Sequence, residues 1–94
     1  MTETQLKNKV TLFLNTIPDI YVRKISDRYS SGYPDIWGCL KGKFFAIELK
    51  TEKGRTSAIQ EYEMKMIRKA GGRVAVCRSV DEVKEFLREV YRDK

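Results

Sequence analysis

Gly32-Tyr33-Pro34-Asp35-Ile36 and Phe44-Phe45-Ala46-Ile47-Glu48-Leu49-Lys50, with the basic turn Lys41-Gly42-Lys43 between them, decide how this 94-residue chain folds. The pattern reads as two strands joined by a hairpin. In the second strand Phe45, Ile47 and Leu49 point to one face and Phe44, Ala46, Glu48 and Lys50 to the other, because side chains alternate along a strand. Bulky apolar residues on both faces mark a strand buried on both sides. Glu48 and Lys50 then stand as charges at the end of an interior strand, a costly position unless something pairs with them.

The hairpin supplies a partner. With Lys41-Gly42 as the loop, residue 35 lies directly opposite residue 48. With Gly42-Lys43, which suits a type II′ turn, residue 35 lies opposite residue 50 and diagonal to 48. Either register puts Asp35 on the face of Glu48 and Lys50, within roughly 5–8 Å. Two carboxylates and an ammonium converging at one sheet edge do nothing for a core. A hard divalent cation held by oxygen ligands settles the repulsion; a structural ion-pair cluster is the competing reading.

Pro34-Asp35 followed by Glu48-Leu49-Lys50 resembles, residue for residue, the signature of the PD-(D/E)XK nuclease superfamily. The Gly-x-Pro-Asp-Ile form at Gly32 to Ile36, with Gln60 downstream, is most similar to the virus-type replication-repair nuclease (VRR-NUC) domains, and archaeal Holliday-junction resolvases are a second match. The resemblance runs from Glu3 to the strand after Gly72. It implies an α/β fold with a restriction-endonuclease-like core, α-β-β-β-α-β, built on a mixed central sheet flanked by helices. One domain over residues 1–94 is expected, carrying an extra C-terminal helix.

A chain of this length buries about 60–65% of its unfolded surface, enough for a modest core. The formal charge of +6 suits a polyanionic partner. The chain has no histidine, so Ser-His and Cys-His nucleophile pairs, histidine bases and His-containing zinc sites are excluded, and hydrolysis must run on carboxylates, lysine and metal-bound water. Cys39 and Cys77 fall inside predicted strands and read as reduced core residues. No apolar run approaches a membrane span and no signal-peptide pattern opens the chain, so an intracellular protein is expected.

In chain order, Thr2 with Gln5 forms a capping box opening a helix to about Asn15, with Leu6, Val10, Phe13, Leu14 and Ile17 as its apolar stripe. Glu3 lies on that stripe, away from the charged side with Lys7 and Asn8. By itself it is an acid favoured by the helix dipole; the resemblance makes it a further acidic group reaching the metal site. Ile20 to Ser26 reads as a strand. The following loop leads into Asp35, and Ser30, Ser31 and Tyr33 on it are either solvated or in contact with a nucleic-acid backbone or base. Lys53 and Arg55 after Lys50, together with Lys41 and Lys43, supply charge for phosphates. Ser57 and Gln60 form a second capping box on a helix to Ala70, in which Ile59, Tyr62, Met66 and Ala70 read as packing residues. The resemblance also places Gln60 beside the active site. Arg73 to Arg78 is a buried strand, and Ser79 with Glu82 opens a last helix facing Val80, Val83, Phe86, Leu87 and Val90 inward.

The expected function is metal-dependent endonucleolytic hydrolysis of phosphodiester bonds in DNA. Asp35 and Glu48 ligate Mg²⁺ or Mn²⁺ with the Leu49 backbone carbonyl, Lys50 acts at the scissile phosphate, and Glu3 and Gln60 complete the site. Structure-selective or non-specific cutting of branched or double-stranded DNA is expected, by a homodimer since one site per chain cannot cut a junction symmetrically, with flap, splayed-arm, single-stranded and RNA substrates left open. No membrane and no small-molecule cofactor enter. The rival function is a catalytically inactive module gripping DNA by the same basic face.

Overall fold

The computed structural model describes residues 1–25 and 32–93. Seven elements follow in order: α1 (Glu3–Leu14), β1 (Tyr21–Lys24), β2 (Ile36–Leu40), β3 (Lys43–Leu49), α2 (Ala58–Lys69), β4 (Arg73–Cys77) and α3 (Val80–Arg92). They make one mixed sheet in the order β1-β2-β3-β4, with the β1–β2 and β2–β3 pairs antiparallel and β4 parallel to β3. The parallel step requires a crossover, and α2 provides it. Among the described residues no helix is long and apolar enough to cross a membrane.

Both expected capping boxes form. Thr2 Oγ1 accepts from the Gln5 amide while Gln5 returns a bond to the Thr2 amide, and Ser57 and Gln60 do the same at α2. At α3 the reciprocal bond shifts by one residue, because Glu82 accepts from the Arg78 amide.

α1 and α3 cover one face of the sheet. Leu6, Val10 and Leu14 pack with Val83, Leu87 and Val90 over Ile36, Leu40, Phe45, Ile47, Leu49 and Cys77. Each such side chain contributes about 1.5–3 kcal/mol by leaving water, so this layer carries most of the stability. α2 covers only the β3–β4 half of the other face, where Met64 packs with Ala46 and Val74. β3 is therefore buried on both sides from Phe45 to Leu49, as its sequence predicts, while β2 alternates buried and exposed.

Two packing expectations change. Ile59, Tyr62, Met66 and Ala70 are exposed, and α2 instead turns Met64 and Ile67 inward. Gln60 lies on that inward side too and reaches Glu48. Cys39 is also exposed, because it lies on the half of the sheet that α2 does not cover; Cys77 is buried, and both thiols are free. The first strand is shorter than expected, Tyr21–Lys24.

Leu40 pairs with Lys43, so the hairpin loop is Lys41-Gly42. Both residues have positive φ, 55° and 78°, which makes this a type I′ turn matched to the sheet twist. The turn docks on α3. Lys43 Nζ donates to the Val90 and Tyr91 carbonyls at 2.9 and 3.4 Å, and Lys41 Nζ sits 4.8 Å over the Tyr91 ring. Both lysines thus meet the negative end of a helix.

Candidate active site

One step beyond the Ile36↔Ile47 pair, Asp35 falls opposite Glu48 on the α2 side of the sheet. Pro34 before it is fully buried, and the Asp35 carbonyl accepts from the Ile25 amide at 2.8 Å, so the entry to β2 is held from both sides. Asp35 Oδ2 accepts from the Leu49 amide at 2.7 Å, which fixes the carboxylate against the backbone of β3. The Leu49 side chain points into the core while its backbone lies at the site.

Glu48 is 3% exposed, the one buried charged residue among those described. Its Oε1 accepts from Gln60 Nε2 at 3.3 Å, and its Oε2 is buried with no donor among the described residues. Burial, then the hydrogen-bonding contact with Asp35 and that carboxylate's charge, push Glu48 up to about 8; Lys50 opposes this and Glu3 adds to it. A carboxyl held in this way needs a proton or a cation on its second oxygen. At neutral pH the proton takes that place when no cation is present. Two facing carboxylates, one with an orphaned oxygen, beside a strand-end backbone fit a hard divalent ion, whose ligands are oxygens.

Lys50 follows β3 directly, two residues beyond Glu48 on the same face, and its amide donates to the Cys77 carbonyl at 3.2 Å. Gln60 is used at both ends, its Oε1 accepting from the Ser57 amide at 2.9 Å and its Nε2 donating to Glu48. The cap and the contact to the acid coexist. Glu3 is exposed on the first turn of α1, near enough for its charge to reach Glu48. It does not join Asp35 and Glu48: among the described residues no three acidic, cysteine or histidine side chains are grouped closely enough to hold one ion together.

The proposed phosphate contacts separate. Lys53 and Arg55 are exposed on the loop after Lys50, whose carbonyls at Thr51 and Gly54 are both held by Arg78 Nη1 at 2.7 Å. Tyr33 is exposed next to the site. Lys41 and Lys43 lie at the opposite end of β3, about 20 Å away at the rise of a strand, and are engaged with α3. Ser30 and Ser31 lie outside the described residues. Sequence reasoning missed Lys7, whose Nζ is 3.5 Å from Asp35 Oδ1. Its place on the charged side of the α1 stripe gave no signal of this; the packing of α1 on the sheet brings it there.

An acid entering one hairpin arm, an acid and a lysine ending the other, and a glutamine from the crossover helix define a PD-(D/E)XK-type nuclease core. The model of the VRR-NUC domain family matches residues 2–81, and the chain belongs to that family. A solved structure described as a VRR-NUC domain superimposes with a TM-score of 0.78 at 26% identity, covering 95% of this chain and 97% of that one. Among curated proteins none matches. Family membership gives a nuclease-type function, with DNA as its partner.

Proposed function

We propose that this domain is a Mg²⁺- or Mn²⁺-dependent endonuclease that hydrolyses phosphodiester bonds in branched DNA, as a homodimer, in replication, recombination or repair. The observation that carries the reading is the facing pair Asp35 and Glu48, with Glu48 Oε2 buried and lacking a donor among the described residues. Asp35, Glu48 and the Leu49 carbonyl would hold the ion. When bound, the ion polarises the phosphodiester and makes a water acidic enough to attack.

The chain's own residues do the rest. Leu49 N–H orients Asp35, and Gln60 pins Glu48 Oε1 so that Oε2 is left for the site. Lys50 neutralises charge building on the phosphate oxygens in the transition state. Glu3 adds negative charge at the rim, and Lys53, Arg55 and Tyr33 contact the DNA backbone. Branched DNA follows from symmetry, since two sites related by a twofold axis cut two strands.

The test is a panel of junction, flap, splayed-arm, duplex and single-stranded substrates with Mg²⁺ or Mn²⁺, the wild type beside Asp35→Asn and Lys50→Ala. Cleavage of junctions that both substitutions abolish is expected. Metal-independent DNA binding without cleavage of any substrate overturns the reading.

A further inference from the structure

Lys50 is held by its backbone, but its side chain is a flexible four-carbon stem. The salt bridges among the described residues leave its ammonium out. What lies along the stem is the turn that follows it. The Gly54 amide donates to the Thr51 carbonyl at 3.0 Å, and a Cβ on Gly54 would sit 3.4 Å from both Cβ and Cδ of Lys50. The backbone of this turn is thus the wall on which the stem rests. That wall is not backed by packed core. Thr51, Glu52 and Lys53 line one side of a hollow of about 560 Å³, with Leu6 and Lys9 of α1 and Val80 of α3 on the other. Arg78 spans the gap. Its Nη1 donates to the carbonyls at the two ends of the turn, Thr51 and Gly54, at 2.7 Å each, which spends both hydrogens of that nitrogen. Arg78 is itself fixed, since its amide donates to Glu82 Oε1 at 2.8 Å and the Cys77 carbonyl before it accepts from the Lys50 amide. The start of α3 gains nothing from a cation, because the positive end of the helix dipole lies there. The helix does not account for the arginine; the turn does.

We propose that Arg78 is a positioning residue for Lys50: it ties both ends of the Thr51–Gly54 turn, so that the Lys50 stem keeps its wall and the ammonium keeps its place at the site. The tie stands on the geometry alone, and its consequence for cleavage rests on the nuclease reading above. Arg78 acts through Lys50 and not on the reacting atoms. Without the tie the turn loosens over the hollow, and the stem spreads over rotamers that carry the ammonium away from the scissile phosphate. A misplacement of about 1 Å costs on the order of 100-fold in rate. A bare positive charge does not replace the arginine, because a lysine ammonium lacks the planar fork that meets two carbonyls at once.

The experiment compares the wild type with Arg78→Ala, Arg78→Lys and Arg73→Ala. Single-turnover cleavage of junction DNA in saturating Mn²⁺ is read beside the DNA dissociation constant, taken by fluorescence anisotropy in EDTA. Carbon-13 relaxation of the Lys50 methylenes is read in EDTA without DNA. Arg78→Ala is expected to lower the rate about 10–100-fold with the dissociation constant nearly unchanged. It is also expected to give the Lys50 methylenes the mobility of those on the exposed Lys53. Arg78→Lys keeps the charge and is expected to recover rate and order only in part. Arg73→Ala, at the other end of β4 and paired with Asp93, changes neither. A loss that falls wholly in DNA affinity and that Arg78→Lys restores makes Arg78 a phosphate contact and overturns the proposal. Lys50 methylenes as ordered in Arg78→Ala as in the wild type overturn it whatever the rate. Should circular dichroism show Arg78→Ala unfolded, Arg78→Lys decides: a wild-type rate and a wild-type Lys50 stem there overturn the proposal. The relaxation measurement uses neither metal nor DNA, so a wild type that cuts nothing sinks the nuclease reading alone.

Discussion

The two ends of β3 carry similar numbers of charges and use them in opposite ways. At the hairpin end, the Lys43 ammonium meets two helix-terminal carbonyls and Lys41 lies over an aromatic ring, so both charges are placed by the fold for its own sake. At the other end, Asp35 and Glu48 face each other and one carboxylate oxygen is buried with no partner among the described residues. Charge density does not distinguish the ends; satisfaction does. A group that the protein alone leaves uncompensated points to something the protein binds.

The largest effect expected from this contrast is on cleavage. Asp35→Asn and Lys50→Ala should each lower the single-turnover rate on junction DNA by at least about 100-fold, as is common for electrostatic stabilisers. Circular dichroism should show both variants folded. Lys43→Ala, at the satisfied end, should leave that rate unchanged.

Next in size is a pH effect on stability. Glu48 binds its proton more tightly folded than unfolded, so its contribution is fully present below the ordinary carboxylate value of 4.5 and is lost as pH rises through about 8. In EDTA the melting temperature should fall by several degrees, roughly, between pH 6 and pH 9. Glu48→Gln should flatten that fall. Millimolar Mn²⁺ should reverse it in the wild type and not in Glu48→Gln, and a metal-insensitive profile would break the contrast between the two ends.

Lys7 sharpens it further. Its ammonium lies 3.5 Å from Asp35 Oδ1, and both side chains are partly shielded from solvent. Removing that competitor in Lys7→Ala should tighten Mn²⁺ binding several-fold by calorimetry, since a like charge beside the ion is lost. The smallest effect belongs to Lys43→Ala, which should lower stability in urea by about 0.5–1 kcal/mol through the lost helix-end interaction.

Much of this was legible in the sequence, for stated reasons. A strand apolar on both sides, an acid at its end and a short Gly-containing turn leave few registers, and both two-residue loops put Asp35 on the face of Glu48. Choosing between them required knowing that Lys41 accepts a positive φ, which residue type disfavours. Both capping boxes were readable because they are local. The rotation of α2 was not, since Ile59, Tyr62 and Met66 sit outside while Met64, Ile67 and a glutamine face the sheet. Trp37 and Cys39 have the composition of a core strand, yet exposure depends on how far α2 reaches across the sheet. Lys7 meets Asp35 only through tertiary packing of α1, which periodicity cannot show.

Gln60 closes the account of why an amide stands where helix chemistry would accept either of two side chains. A capping box takes glutamic acid as readily as glutamine. Glutamic acid would still accept from the Ser57 amide, but its second oxygen would turn toward Glu48 with no hydrogen to give. The neighbourhood of the acid, rather than the helix it starts, selects the residue, and a position that looks like routine helix punctuation is under the control of chemistry twelve residues upstream.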